Sequence, residues 1–202
     1  MSTNKVYGDA PNDRPMIELE TRYEFARPED YLGIDENCRV NLCLHTLFGA
    51  SKTSADIMAQ EYGLSFGMNV GIFCGGCLTG PSHTGVHLQG FLSYLIKAAL
   101  KKLPYTIYGY KGKQLRDQIH SYDVVRAFEE FIDNPRPGQV YNIGGGRSNS
   151  ASVIETIALV EEISDMKLEY IYEDQPRKGD QICNVANLQY LRQLLGWACV
   201  GA

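Results

Sequence analysis

No stretch of the 202-residue sequence approaches the roughly 18 consecutive apolar residues that a membrane-spanning helix requires. The opening residues, Met1-Ser2-Thr3-Asn4-Lys5, carry neither a charged leader nor an apolar core, so no signal peptide is expected. Basic residues are in the minority. The 19 Lys and Arg against 24 Asp and Glu leave a net charge of −5, which argues against a nucleic-acid partner or an anionic membrane surface. Histidine is scarce too: His45, His83, His87 and His120 share no ligand spacing, and each is expected in a loop or the core. The single tryptophan, Trp197, is expected to pack. Six cysteines form no disulfide framework and read as reduced thiols in a cytoplasm. Cys74-Gly75-Gly76-Cys77 is a C-x-x-C, but no second pair completes a zinc site, so two small residues closing a buried strand is the preferred reading and no metal is expected. Also missing is the Gly-x-Gly-x-x-Gly turn of a dinucleotide-binding fold, with its acidic partner roughly 20 residues later. Gly144-Gly145-Gly146 lacks that spacing and reads as a turn.

What is present is ordinary for one globular domain: 44% hydrophobic and 21% charged residues. Residues 1–8 read as the end of a strand. Residues 9–45 are rich in Asp, Glu, Pro and Asn without sustained period, and read as a long surface insertion. A helix is predicted over 46–66 with Thr46 as its cap, then a short apolar strand over 69–76 and a loop over 78–85. A helical stripe over 87–102 carries Phe91, Leu92, Leu95, Ile96, Ala99 and Leu100. Strands over 105–110 and 114–120, a helix over 122–133 and a strand over 140–143 follow. Ser152 and Glu155 form a capping box for a helix reaching about Ser164. A strand over 167–173, an extended piece over 180–185, and a last helix capped by Asn187 and closed by Gly196 complete the chain. Strands alternating with helices imply an α/β architecture with a mostly parallel sheet.

Within the first helix, Phe48 and Lys52 are four apart and share a face. A Tyr and a Lys at that spacing would form a working pair, the ammonium lowering the phenol's pKa for proton exchange with a sugar hydroxyl. Phe48 cannot carry a proton.

The ordered motifs resemble those of extended short-chain dehydrogenase/reductases, the NAD-dependent nucleotide-sugar epimerase and dehydratase family, and most nearly its CDP-paratose (CDP-tyvelose) 2-epimerase branch. The likeness rests on Ser2-Thr3-Asn4-Lys5-Val6-Tyr7-Gly8, on Phe48-Gly49-Ala50-Ser51-Lys52 where the family has Tyr-x-x-x-Lys, and on the insertion with Tyr31-Leu32-Gly33-Ile34-Asp35-Glu36. Further motifs are Gly76-Cys77-Leu78-Thr79-Gly80-Pro81, Gly109-Tyr110-Lys111-Gly112-Lys113-Gln114 leading to Arg116-Asp117, Asn142-Ile143-Gly144-Gly145-Gly146, and Arg177-Lys178-Gly179-Asp180. The resemblance covers nearly the whole chain.

It implies an incomplete Rossmann-like fold: residues 1–76 as a remnant of the dinucleotide-binding half, with the insertion over 9–45, and 77–202 mainly as the nucleotide-sugar-binding region. By resemblance Thr3, Lys52 and Phe48 hold the catalytic positions, and Lys52, Cys74 and Cys77 lie on the NAD side, Cys74 where family members often carry Arg. Arg116 and Arg177 would reach the diphosphate, and Asp180 the ribose hydroxyls. Guanidinium suits a pyrophosphate because it donates bidentate hydrogen bonds and stays charged. From the residues alone, Arg116-Asp117 could equally be a surface ion pair worth little, and Arg177-Lys178 a solvated turn. The implied reaction inverts C2 of a CDP-hexose by transient oxidation, in cell-surface polysaccharide biosynthesis. Phe48 and the missing Gly-rich turn instead favour a chain inactive by itself, its first half expected upstream of Met1, or a non-catalytic nucleotide-sugar-binding subunit. A homo-oligomer, through helices including 46–66, or a separate chain supplying the first half is the expected partner.

Overall fold

The computed structural model describes residues 1–86 and 90–200. Strand β1 (Ser2–Thr3) passes into 3-10 turns over Asn4–Tyr7 and Ala10–Asp13. A hairpin of β2 (Met16–Glu18) and β3 (Tyr23–Phe25) follows, then helix α1 (Leu47–Phe66) and strands β4 (Gly71–Gly75) and β5 (Cys77–Thr79). Helix α2 (Phe91–Lys101), strands β6 (Tyr105–Tyr108) and β7 (Leu115–His120), α3 (Ser121–Asp133) and β8 (Gln139–Ile143) continue the alternation. Strand β9 (Ser150–Ser152), α4 (Val153–Ser164), β10 (Tyr170–Glu173), β11 (Cys183–Asn184) and α5 (Gln189–Leu195) close it.

The α/β reading holds, and the pairing is mostly parallel. Strand β4 lies between β1 and β8, β7 between β11 and β5, and β6 beside β10, all parallel; β9 on β7 and the β2–β3 hairpin are antiparallel. Parallel strands need their faces covered. Helices α3 and α5 supply Val124, Ala127, Phe131, Leu191 and Leu195 against Phe73 of β4 and Tyr141 and Ile143 of β8, with Trp197 buried beside them. A second cluster joins Leu95, Ala98 and Ala99 of α2 to Ile107 of β6 and Val153 and Ile157 of α4.

Local chemistry sets the element ends. Thr46 Oγ1 accepts from the Gly49 N–H at 3.1 Å, and Gly67 closes α1 in the left-handed conformation at φ +66°. Ser152 and Glu155 complete the capping box of α4. His120 caps α3, its Nδ1 accepting from the Tyr122 N–H at 3.1 Å.

Four expectations change. The 9–45 insertion lies largely at the surface but is anchored in the core rather than free: Phe25 and Ile34 are buried in a cluster with Val6, Tyr7, Ile72 and Leu115, and Ile34 exchanges backbone hydrogen bonds with Val185 and Asn187. Its polar composition hid this because several of its charges pair across the fold, Arg22 with Glu155, Glu24 with Arg147 and Glu18 with Lys111 and Lys113. The 78–85 loop begins as strand β5, which pairs with β7. In α2 the inward stripe is Leu95, Ala98 and Ala99, while Ile96 and Leu100 are exposed. The last helix is led by Leu188, with Asn187 Oδ1 accepting from the Gln189 N–H at 3.0 Å. Helix α1 leaves Met58, Leu64 and Phe66 exposed. Among the described residues no helix is long and apolar enough to cross a membrane.

Candidate functional site

A cleft of about 560 Å³ opens where the end of β1, the first turns of α1 and α2, strands β5 to β7 and the 177–180 loop converge. Thr3, Phe48, Lys52, Cys77, Arg116, Arg177 and Asp180, separated by up to 177 positions in the chain, all line it. Cys74 does not. It is buried, its thiol 3.5 Å from Asp56 Oδ2 below α1, because the chain crosses from β4 to β5 at Gly76 and sends the two thiols into different surroundings. Among the described residues no group of His, Cys, Asp and Glu could hold a metal.

On one wall, Thr3 caps the following 3-10 turn, its hydroxyl accepting from the Lys5 N–H at 3.3 Å. Lys52 Nζ lies 5.9 Å from the centre of the Phe48 ring, a cation–π contact in place of an ammonium–phenol pair. No carboxylate of the described residues is in ion-pair range of Lys52.

Another stretch of the wall is cationic around a single acid. Arg116 Nη2 donates to Asp180 Oδ1 at 2.9 Å, Lys5 Nζ stands 3.5 Å from the same oxygen, and Arg177 Nη2 is 3.9 Å from Oδ2. Burial would raise the Asp180 carboxyl, yet Arg116, Lys5 and Arg177 hold it below the usual carboxylate range. Its Oδ2 accepts no hydrogen bond from the described residues, although it is buried. Three cations to one carboxylate leave this wall positive, and an unclaimed acceptor beside them suits a ligand hydroxyl.

Sequence reasoning missed Lys5 and the aromatic end of the cleft, where the rings of Tyr94 and Tyr105 lie 6.0 Å apart and burial pushes the Tyr105 phenol up to about 12. Lys5, two positions after Thr3, carried a signal that could have been read. None of the described histidines lines the cleft: His45 Nε2 contacts the Val40 carbonyl at 2.7 Å, His83 Nδ1 contacts Ser93 Oγ at 2.8 Å, and His120 caps α3; His87 lies outside the described residues.

The cleft fits a nicotinamide dinucleotide in part. Lys52 brings a donor to the cleft, whereas the Thr3 hydroxyl donates to Asn4 Oδ1 at 3.2 Å. The three-glycine turn offers no phosphate cradle, because the Gly146 N–H already donates to Asp117 at 3.0 Å. A Cβ on Gly145 would lie 1.9 Å from the Gln118 carbonyl oxygen, so these glycines permit close packing.

The model of the NAD dependent epimerase/dehydratase family matches residues 17–144. CDP-paratose 2-epimerase of Salmonella typhi is 30% identical over 98% of this chain and 58% of its own length. A dTDP-glucose 4,6-dehydratase of Neisseria meningitidis serogroup B is 27% identical over 98% of this chain and 52% of its own. The chain thus spans just over half the length of these curated relatives. Among solved structures, a mutant UDP-glucuronic acid 4-epimerase from Bacillus cereus, in complex with UDP-4-deoxy-4-fluoro-glucuronic acid and NAD, superposes with TM-score 0.74 at 23% identity, over 100% of this chain and 55% of that one. A dTDP-glucose 4,6-dehydratase from Streptomyces venezuelae with NAD bound gives 0.73 at 19%, over 100% and 54%. At such identities these structures speak to the fold, which is of their Rossmann type.

Proposed function

The chain belongs to the NAD dependent epimerase/dehydratase family, and from that premise we propose that it acts in a nucleotide-sugar epimerase that inverts C2 of a CDP-hexose. The observation that carries this reading is Asp180 in the cleft, ringed by Arg116, Lys5 and Arg177 with one oxygen unclaimed. In this reading Arg116 and Arg177 take the diphosphate, because guanidinium stays charged and matches phosphate geometry. Displaced from Arg116, Asp180 accepts from the ribose hydroxyls. Lys52 and Thr3 orient the reacting hydroxyl. A bound NAD supplies the hydride acceptor and donor. The 2-epimerase assignment is supported by the 30% identity to CDP-paratose 2-epimerase over 98% of this chain.

Titration calorimetry with CDP, a CDP-hexose and UDP-glucose tests the reading. Binding of CDP-hexose, weakened in Arg116→Ala, is expected; no affinity for any nucleotide sugar overturns it.

Phe48 favours a second reading, a nucleotide-sugar-binding subunit without turnover, since its ring carries no proton. That reading expects CDP-hexose binding with no NAD binding, and calorimetric heat from NAD would end it.

A further inference from the structure

A buried polar atom without a partner is costly, so the few that a fold keeps beside a cleft point to a ligand that completes them. Gln114 Oε1 is such an atom. Gln114 lines the cleft and is 5% exposed, and its Oε1 is buried with no hydrogen-bond partner among the described residues. The amide nitrogen is already committed, donating to the Tyr108 carbonyl at 3.2 Å. We propose that Gln114 reads the nucleobase, a step that rests on the nucleotide-sugar reading above and deepens it. Its Oε1 accepts from the exocyclic amino group of cytosine and so selects cytidine over uridine diphosphates.

Position along the cleft is the first argument. Phe48 and Lys52 line it from α1, and Gly179 stands against the start of that helix, where a Cβ would lie 3.1 Å from Thr46 Cγ2. Lys5 Nζ donates to the Gly179 carbonyl at 3.2 Å and stands 3.5 Å from Asp180, which in turn takes Arg116 at 2.9 Å. Gln114 and Arg116 flank Leu115, which is buried in a separate core cluster, while both of its neighbours line the cleft. Gln114 then meets β6 at Tyr108. From α1 to β6 the contacts therefore run past Lys52 and Phe48, then Arg116, then Gln114. A nucleotide sugar has the matching order of sugar, diphosphate and nucleoside. The β6 side is also the aromatic end, with Tyr94 and Tyr105 6.0 Å apart, and aromatic rings suit the face of a base.

The fixed amide gives the selection its direction. Turned over, Gln114 would set its oxygen against the Tyr108 carbonyl oxygen, two acceptors with no proton between them. Held as it is, Gln114 meets the ligand with Oε1. Cytosine carries an amino donor where uracil carries a carbonyl oxygen. The amino group supplies what Oε1 lacks, whereas the carbonyl would bring a second unsatisfied acceptor against it. Uracil has a ring N–H, but bringing that to Oε1 would shift the base along its edge while Arg116 holds the diphosphate.

Calorimetry on the full chain tests this with CDP, UDP and an analogue of CDP that has hydrogen in place of the amino group. CDP is expected to bind about 10-fold or more tighter than either of the others. Gln114→Met keeps the length of the side chain without the acceptor. It should bring CDP to within about threefold of UDP and leave UDP affinity unchanged, with circular dichroism confirming the fold. A purely structural role would weaken both nucleotides alike. Equal affinity of the unsubstituted protein for CDP and UDP overturns the assignment, as does selectivity that survives in folded Gln114→Met. Equal weakening of both nucleotides by the substitution also overturns it, because the acceptor would then serve the ribose that they share. Should Gln114→Met fail to fold, the analogue decides: binding as tight as that of CDP overturns the assignment, and loss of affinity supports it. Each of these failures leaves the nucleotide-sugar reading standing. Absence of binding by CDP, UDP and CDP-hexose overturns both.

Discussion

Arg116 and Asp117 are neighbours on β7 that face opposite sides of the strand. The Arg116 guanidinium enters the cleft and donates to Asp180 at 2.9 Å, while Asp117 Oδ2 accepts from the Gly146 and Ala186 N–H groups at 3.0 and 3.1 Å. The two are therefore not an ion pair. Alternation along the strand turns one toward the cleft and the other toward the three-glycine turn. The same alternation gives each side chain its own test.

Arg116→Ala should weaken CDP-hexose binding by roughly 10- to 100-fold, the loss of a charge-assisted contact worth about 1.5–3 kcal/mol. Calorimetry checks this, with circular dichroism confirming that the variant is folded. The substitution also strips Asp180 of its hydrogen-bonding cation, so a modest loss of thermal stability should accompany it.

Asp117 should make stability fall between pH 4 and 6. Burial pushes its carboxyl from 3.8 up to about 6, and Oδ1 has no partner among the described residues. A carboxyl raised in the folded state favours folding below its unfolded value. That contribution, on the order of 3 kcal/mol, is lost as pH rises through the folded one. Urea unfolding of the unsubstituted protein and Asp117→Asn at pH 4, 5, 6 and 7 should show this fall only with Asp117 in place. Parallel pH profiles would refute it.

Phe48→Tyr would restore a phenol one helical turn from Lys52. The half-exposed ring leaves room for the hydroxyl. Ultraviolet difference titration against the unsubstituted protein should show one added phenol titrating below the ordinary value of about 10, because the Lys52 ammonium favours the phenolate. An added phenol titrating at or above that value would mean that Lys52 does not address it.

Gly63→Ala should destabilise the protein although it improves helix propensity. A Cβ at this position of α1 would lie 2.0 Å from the Gly138 backbone nitrogen, forcing the helix off the 137–138 turn. A cost of about 1–3 kcal/mol is expected against a propensity gain of at most about 1 kcal/mol. Thermal unfolding decides the sign, and a raised melting temperature would show that the contact yields.

Much of this architecture was legible because its signals are local. Thr46 and Gly67 bound α1, and Ser152 and Glu155 begin α4, since a cap is satisfied within four residues of itself. The insertion was illegible for the opposite reason. Its polar residues found partners more than a hundred positions away: Arg22 and Thr21 meet Glu155, and Glu36 accepts from the Asn142 N–H. Composition suggested solvent where the fold supplied pairing. Cys74 and Cys77 looked alike in the chain and were parted by a crossover between two sheets.

The sequence by itself determined the alternation of strands and helices, the caps that end them, and an ordered set of motifs sufficient to mark the family. It also determined that position 48 holds no proton, a property of the side chain that no fold can alter. Only the tertiary structure decided which charged groups meet. Lys5 and Asp180, 175 positions apart, come to 3.5 Å, and Arg116 joins them while its neighbour Asp117 turns away. Burial, charge compensation and the protonation that follows depend on distances through space, and local sequence patterns do not contain those distances.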